Sequence, residues 1–245
     1  MEVEERLRRF FRTWYRVNGR AFPWRQRETT PFGHVVAEVM LRQTKASMVV
    51  APWTEFTQRF PSPTGVVQTP AEEILALVAP LGLGRQRTGA LKSLSLALVE
   101  RHRGRVPRGL EQLRELPHLG LYSAGAVACF AFGQRVPIVD VNVLRVLGRI
   151  TGEVYPADNR WKKAGEAWEL AGRILPARGF REHNYGLLDF AAQVCTARRP
   201  LCEACPLLGV CTYGRLARSD VPVHGATRQV TGPTGPVDGF DRASR

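Results

Sequence analysis

The chain has 245 residues, a formal net charge of +13 and 44% hydrophobic residues, enough for one large domain or two small ones. The excess of 35 Lys and Arg over 22 Asp and Glu favours a nucleic acid or an anionic membrane surface as partner. A basic protein without such a partner fits the charge as well. No apolar run approaches the roughly 20 residues that span a bilayer, and the charged start MEVEERLRRFF is unlike a signal sequence. We therefore expect a cytoplasmic, nucleoid-associated protein.

The apolar periodicity predicts helices throughout and no strands, so the predicted fold class is all-α. From residue 213 to 245 Gly, Pro, Ser and Arg dominate and the periodicity vanishes, which predicts a disordered basic tail. The predicted helices lie at 4–17, 32–45, 48–60, 71–79, 87–102, 110–116, 141–150, 160–175 and 185–194.

Residues 115–149, ELPHLGLYSAGAVACFAFGQRVPIVDVNVLRVLGR, contain two apolar segments around a tight turn, LPHLG. A short hairpin between helices leaves N–H groups unpaired at the start of the second helix, and such a helix start attracts an anion such as a DNA phosphate. Asp140 follows where another helix begins. It fits an N-cap of that helix and also a chemical role beside the hairpin, and the two roles are compatible.

Four cysteines, Cys195, Cys202, Cys205 and Cys211, follow the pattern C-x6-C-x2-C-x5-C. This spacing allows a short loop to wrap four thiolates around one metal centre. Spacing alone does not separate zinc from a [4Fe–4S] cluster, although structural zinc more often uses two CxxC pairs. The fifth cysteine, Cys129, lies in an apolar helix and is predicted to be a core residue.

The cysteine pattern is similar to that of the endonuclease III superfamily of DNA glycosylases. In addition, LPHLGLYSAG followed by VDVN resembles the helix–hairpin–helix, Gly/Pro loop and catalytic aspartate of that superfamily. The resemblance implies a [4Fe–4S] cluster on the four cysteines and two helical lobes with a DNA groove between them. One lobe is a six-helix barrel at 31–134, which includes the hairpin. The other lobe, which holds the cluster, combines 1–30 with 135–212.

Breaking an N-glycosidic bond builds positive charge on the deoxyribose, which a nearby carboxylate stabilises. The resemblance assigns this role to Asp140. Superfamily members that also nick the strand carry a lysine after the hairpin, whose amine forms a Schiff base. This chain has Tyr122, which cannot form an imine, so we predict a monofunctional glycosylase. Tyrosine here resembles the MIG-type mismatch glycosylases, whereas the MutY-type branch usually has serine; without the motif, Tyr122 is equally well a packing aromatic.

Glu38 is the second acidic candidate. The segment AEVMLRQTKA is similar to one shared by the MutY-type and MIG-type branches, which implies that Glu38 enters the base pocket and activates the leaving base. Its apolar helix predicts a raised pKa and a proton-donor role, against the alternative of an ordinary exposed residue. Gln43 and Leu83 match positions that fill the space vacated by a flipped nucleotide. For Leu83, a core position fits equally.

His118 occupies the place of the first glycine in the superfamily's usual LPGxG hairpin. That turn needs a left-handed backbone, which histidine adopts at some cost, so we expect the hairpin to form. The resemblance implies a monovalent cation bound by hairpin carbonyls. It also implies hairpin contacts to DNA from His118, Leu119, Gly120 and Ser123.

The predicted protein is a monomeric glycosylase of base excision repair that acts on double-stranded DNA with a mismatched or damaged base, here thymine or uracil opposite guanine. Excision of adenine opposite 8-oxoguanine or guanine is the first alternative. Against it stand Tyr122 and a 213–245 segment too short and polar for the C-terminal domain usual in MutY-type enzymes. A non-catalytic DNA-binding protein is the second alternative, and the presence of both Glu38 and Asp140 argues against it. A strand-nicking lyase is the last alternative, and Tyr122 argues against it because it stands in place of the amine that such an enzyme needs.

Overall fold

The computed structural model describes residues 2–153, 155 and 165–217, and these ranges contain twelve α-helices and no strand. The all-α prediction is therefore confirmed. Within the same ranges no helix is long and apolar enough to cross a membrane. The helices are α1 (Glu2–Asn18), α2 (Pro31–Met40), α3 (Ala46–Arg59), α4 (Pro63–Gln68), α5 (Ala71–Val78), α6 (Gly84–His102), α7 (Leu110–Arg114), α8 (Leu121–Phe130), α9 (Val141–Thr151), α10 (Gly165–Ile174), α11 (Phe180–Gln193) and α12 (Thr212–Leu216).

Helices α2 to α8 enclose a first apolar core, in which Phe56 is fully buried. The Trp53 indole of α3 donates a hydrogen bond of 2.9 Å to the Gly33 carbonyl of α2, so this buried polar group has a partner. Trp24 packs into the same core from the loop before α2 and stacks on Phe22 with ring centroids 4.9 Å apart. The core thus covers the predicted barrel lobe and also takes in Trp24, a residue that the prediction assigned to the other lobe.

A second core lies between α1, α9, α10, α11 and the cysteine segment. Helices α1 and α11 approach so closely that a Cβ on Gly186 would lie 2.1 Å from the Phe11 carbonyl oxygen, so only glycine fits there. The Phe130 ring of α8 stacks on the Tyr185 ring of α11 with centroids 3.9 Å apart. This stack belongs to a third, smaller apolar cluster that joins α8 to α11.

Several helix ends differ from the prediction. Helix α2 ends at Met40, well before residue 45, because the chain turns at Gln43, whose φ is 50°. Helix α11 begins at Phe180, after Gly179 with φ 74°, earlier than the predicted 185. Helix α4 was not predicted.

Two further predicted boundaries, at 160 and 213, lie close to residues that the structure does not describe. Helix α10 is described from Gly165, and residues 160–164 of the predicted helix lie outside the described residues. The tail predicted at 213–245 is wrong at its start, because α12 spans Thr212–Leu216 and packs against α9. Residues 218–245 lie outside the described residues.

Candidate active site

Asp140 is the N-cap of α9, as its position in the sequence predicted. Its Oδ1 accepts hydrogen bonds from the backbone N–H groups of Asn142 (2.9 Å) and Val143 (2.7 Å). Its Oδ2 accepts a third, of 2.8 Å, from the Asn142 side-chain amide. Both oxygens are therefore held in one orientation at the positive end of a helix, where a carboxylate is stabilised.

A chain of hydrogen bonds leads from Asp140 to the cysteine segment. Arg145 donates to the Asn142 side-chain oxygen at 2.8 Å, to the Cys195 carbonyl at 3.0 Å and to the Ala191 carbonyl at 2.9 Å. Asn142, in turn, donates to Asp140. The first of the four cysteines is thus tied through two side chains to the carboxylate. Our sequence reasoning missed Asn142 and Arg145, although both lie in the VDVNVLR segment that it singled out.

Glu38 lies half-buried on α2, where it accepts a hydrogen bond from the Ser123 hydroxyl. Burial raises the pKa of its carboxyl to about 8, while the Ser123 hydrogen bond and the charge of Arg42 act to lower it and the charge of Asp140 to raise it. Glu38 therefore carries a proton near neutral pH.

Tyr122 is close enough to Glu38 and Asp140 for their charges to affect the pKa of its phenol. Burial raises the pKa of its phenol well above the ordinary range, and the charges of Glu38 and Asp140 act in the same direction. The charge of Arg25 acts in the opposite direction. The structure thus brings together Asp140, Glu38 and Tyr122, the three residues predicted to be catalytic, and keeps the phenol protonated.

Sequence reasoning missed the buried ion pair between Arg25 and Asp189. The Asp189 side chain, fully buried on α11, accepts hydrogen bonds of 2.7 and 2.9 Å from Arg25 and of 2.8 Å from Arg20. Burial acts to raise the pKa of Asp189, but the hydrogen bonds and charge of Arg25, together with the hydrogen bonds of Arg20, outweigh it and lower that pKa. Arg25 also lies over the Tyr185 ring, 4.3 Å from its centroid. The loop before α2 is therefore fixed to α11 beside the site.

The hairpin joins α7 to α8, and His118 in its turn has a φ of 64°, the left-handed conformation predicted for it. Its Nε2 lies 3.0 Å from the Ser93 hydroxyl of α6. Gly120 is the N-cap of α8 and has no side chain to cap it, and the space around its Cα is open. The first amides of α8 can therefore receive an anion.

Ser123 and Leu119, which were predicted to contact DNA, have side chains that are buried away from solvent. Ser123 is 7% exposed and its hydroxyl bonds to Glu38, which leaves its backbone for the predicted DNA contact. The Leu119 side chain is buried in the first core, which leaves only its backbone for the predicted contact. His118 and Gly120 are exposed.

Gln43 and Leu83 lie at the tips of two adjacent turns. Both are exposed, Leu83 by 47%, and their φ angles are 50° and 53°. The Thr44 hydroxyl donates to the Leu81 carbonyl at 3.3 Å, which joins one turn to the other. The exposure of Leu83 argues against the core position that fitted its sequence equally well.

The four cysteines line one cavity between α9, α11 and α12. Arg149 donates to the Cys195 sulfur at 3.4 Å and the Gly214 N–H to the Cys211 sulfur at 3.4 Å, as suits thiolate ligands. Across the described residues, no three His, Cys, Asp or Glu side chains converge closely enough to hold a single ion. Four cysteine sulfurs on one cavity are a donor set that fits an iron-sulfur cluster.

The chain is similar to several known DNA repair proteins. Residues 36–169 match the sequence model of the HhH-GPD superfamily of base excision DNA repair proteins, and residues 195–211 match the iron-sulfur binding domain of endonuclease III. A thymine-DNA glycosylase of Aeropyrum pernix is 40% identical over 85% of this chain and 94% of its own. An adenine DNA glycosylase of Mycobacterium tuberculosis is 37% identical over 79% of this chain and 63% of its own. A solved thermostable thymine-DNA glycosylase superimposes with a TM-score of 0.81 at 32% identity, covering 88% of this chain and 98% of its own.

Proposed function

We propose that this chain, which belongs to the HhH-GPD superfamily of base excision DNA repair proteins, is a monofunctional DNA glycosylase that removes thymine or uracil opposite guanine. The observation that carries the proposal is the site itself. A carboxylate held by three hydrogen bonds, Asp140, shares the site with a protonated acid, Glu38. Two carboxyl groups with different protonation are what hydrolysis of a glycosidic bond requires.

In the proposed reaction the bond between the sugar C1′ and the base nitrogen breaks, and its electron pair leaves with the base. Glu38 gives its proton to the departing base, since its pKa of about 8 keeps it protonated at neutral pH. Asp140 stabilises the positive charge that develops on the sugar. Water then adds to C1′ and loses a proton to a carboxylate. The products are a free base and an intact abasic site.

Tyr122 supports the monofunctional assignment. An imine with the sugar needs an amine, and the side chain in this position is a phenol that its burial keeps protonated. The phenol therefore serves to shape and polarise the pocket beside Glu38 and Asp140.

The choice of thymine or uracil rests on Tyr122 and on the thymine-DNA glycosylase of Aeropyrum pernix, 40% identical over 94% of its length. The adenine DNA glycosylase at 37% identity makes adenine excision the alternative. Tyr122 argues against that alternative. The adenine DNA glycosylases belong to the MutY-type branch, which usually has serine at the position of Tyr122.

We also propose the partners of the remaining motifs. The cysteine cavity holds a [4Fe–4S] cluster, which fixes the segment from Cys195 to Cys211 and, through Arg145, the start of α9. The hairpin at 116–120 binds a DNA phosphate with the amides of α8, assisted by a monovalent cation on its carbonyls. The protein acts as a monomer. It binds nucleoid DNA between the barrel lobe and the cluster lobe.

The test is single-turnover cleavage of end-labelled duplexes carrying G:T, G:U, A:G or A:8-oxoguanine, each sample split with and without alkali. We expect alkali-dependent breakage of the strand with thymine or uracil opposite guanine. Breakage at adenine would transfer the chain to the alternative substrate. Breakage without alkali would contradict the role of Tyr122, and an Asp140→Asn variant as fast as the wild type would refute the mechanism.

A further inference from the structure

Arg87 at the start of α6 is a buried cation, 4% exposed, whose hydrogen bonds go to oxygen atoms without a formal charge. Its Nη1 donates to the carbonyls of Val39 (2.7 Å) and Met40 (3.0 Å), the last turn of α2, where the helix dipole favours a cation. The full set of its acceptors is the carbonyls of Val39, Met40, Arg42, Leu81 and Gly82 and the hydroxyl of Thr44.

These acceptors belong to two turns that are far apart in sequence. One guanidinium nitrogen donates to the Arg42 carbonyl at 2.7 Å, and Nε donates to the Gly82 carbonyl at 2.9 Å. The next residue along the chain in each case, Gln43 or Leu83, is exposed and left-handed. Arg87 therefore binds the backbone immediately before the tip of each turn.

A left-handed backbone is unfavourable for residues other than glycine and persists only where the surroundings hold it. Gln43 and Leu83 are in this conformation with φ angles of 50° and 53°. The planar guanidinium suits the task, since its N–H groups point in fixed directions to several carbonyls at once. A lysine has one nitrogen and cannot reach both turns in the same way.

We propose that Arg87 is a positioning residue that holds Gln43 and Leu83 together as one rigid wedge, which fills the space left by the flipped nucleotide. The inference rests on the proposed function, because a wedge is needed only by a protein that extrudes a base. Arg87 itself does not touch DNA in this role. It sets the separation and direction of the two side chains that do.

The variant to test is Arg87→Met, with Lys92→Met as its matched control. Lys92 lies on the same helix and donates to the carbonyls of Val66, Val67 and Thr69 at 3.2, 2.9 and 2.7 Å. Both substitutions remove one cation from α6 and leave carbonyls without their donor. Only the first affects the turns that carry Gln43 and Leu83.

The first readout is single-turnover excision from two duplexes, one with uracil opposite guanine and one with uracil opposite an abasic-site analogue, where no pairing resists extrusion. We expect Arg87→Met to slow excision opposite guanine by about tenfold or more, as for other misplaced positioning groups, and to recover most of this loss on the second duplex. Lys92→Met should affect both duplexes equally. An Arg87→Met variant that is equally slow on both would reduce Arg87 to a structural residue.

The second readout does not depend on excision. A 2-aminopurine beside the target brightens when its neighbour leaves the stack, and we expect a smaller rise with Arg87→Met than with Lys92→Met. If the wild type brightens the probe but excises no base, the proposed function fails. The difference in fluorescence between Arg87→Met and Lys92→Met still tests the role of Arg87 in that case. Equal brightening by both variants would refute the positioning role.

A milder variant covers the case in which Arg87→Met does not fold. If Arg87→Met fails to fold, Thr44→Val removes one of the contacts of Arg87 and the link from Thr44 to Leu81 while leaving the guanidinium in place. We expect it to reproduce the same difference between the two duplexes with a smaller loss. Compared with Arg87→Met, Arg87→Lys should recover more of the stability than of the excision rate opposite guanine, because lysine keeps the charge but cannot bind both turns. Equal recovery of stability and excision rate would argue against the proposal.

Discussion

The pKa of Glu38 makes a quantitative prediction for the pH dependence of excision. A carboxyl group with a pKa of about 8 is protonated in about nine-tenths of molecules at pH 7 and in about one-tenth at pH 9. If the proton of Glu38 goes to the leaving base, the single-turnover rate should fall about tenfold over this interval. With its ordinary pKa of 4.5, the same group would be protonated in well under about one molecule in a hundred at pH 7.

The assay is single-turnover excision from a G:U duplex between pH 5.5 and 9.5, with alkaline strand breakage as the readout. The rate should be level below pH 7 and decline with a midpoint at or above 8, since DNA phosphates raise the pKa of Glu38 further. Glu38→Gln should be slow at every pH and lose the decline. Binding to a duplex with an abasic-site analogue is the control and should not follow the same curve.

Two substitutions move the midpoint in a direction fixed by the structure. The Ser123 hydrogen bond and the Arg42 charge both lower the pKa of Glu38, so Ser123→Ala or Arg42→Met should move the midpoint upwards. A wild-type rate that is flat to pH 9.5, or a midpoint that moves down in both variants, would refute the assignment of Glu38 as proton donor.

Protein stability should respond to the same group. Because the pKa of Glu38 is raised on folding from 4.5 to about 8, the folded state binds this proton more tightly than the unfolded chain. The contribution of this proton to the free energy of unfolding is therefore fully present below pH 4.5 and is lost as the pH rises towards 8. The full change is about 5 kcal/mol, an upper limit for a half-buried carboxyl. Urea unfolding at pH 5.5 and 8.5 should show a smaller pH effect in Glu38→Gln than in the wild type.

Three further predictions concern Asp140, Tyr122 and the hairpin residue His118. Asp140→Asn should slow excision by about 100-fold or more, as expected on loss of a charge that stabilises the transition state, while duplex binding by gel shift is kept; undiminished excision would contradict it. Tyr122→Lys supplies the missing amine and should give alkali-independent breakage with a borohydride-trapped covalent complex, and the absence of any trapped complex would place Tyr122 away from the sugar. His118→Gly relieves a left-handed histidine worth about 1–2 kcal/mol but loses one exposed hydrogen bond worth about 1 kcal/mol, so the melting temperature should change by only a few degrees; a large drop would mean that the bond to Ser93 dominates.

The motifs that could be predicted from the sequence are local. The cysteine spacing, the hairpin and the N-cap at Asp140 each depend on residues close together in the chain, and the structure places all of them as a short segment would suggest. The left-handed backbone of His118 was likewise fixed by the turn it occupies. Such features survive because few long-range contacts can change them.

The features that were missed depend on partners from distant segments. Helix α2 stops at Met40 where apolar periodicity continues, and the donor that binds its last carbonyls, Arg87, is 47 residues further along the chain. Ser123 was predicted to contact DNA because of its place in the hairpin. Helix α8 packs against α2, however, and the Ser123 hydroxyl of α8 donates to Glu38 of α2. The Arg25–Asp189 pair spans 164 residues. No local pattern contains these pairings, so only the packed structure reveals them.

The left-handed residues other than glycine connect these observations. Within the described residues they are Gln43, Leu83, Arg103 and His118, and three of the four are positions predicted to contact DNA. Glycine would suit the backbone better at each of them, so the side chain must contribute something that offsets the strain. Helix α6 holds all three in place, through Arg87 for Gln43 and Leu83 and through Ser93 for His118. A single helix therefore holds both the proposed wedge and the hairpin, so the two strained surfaces that we propose face DNA are kept in a fixed relation to each other.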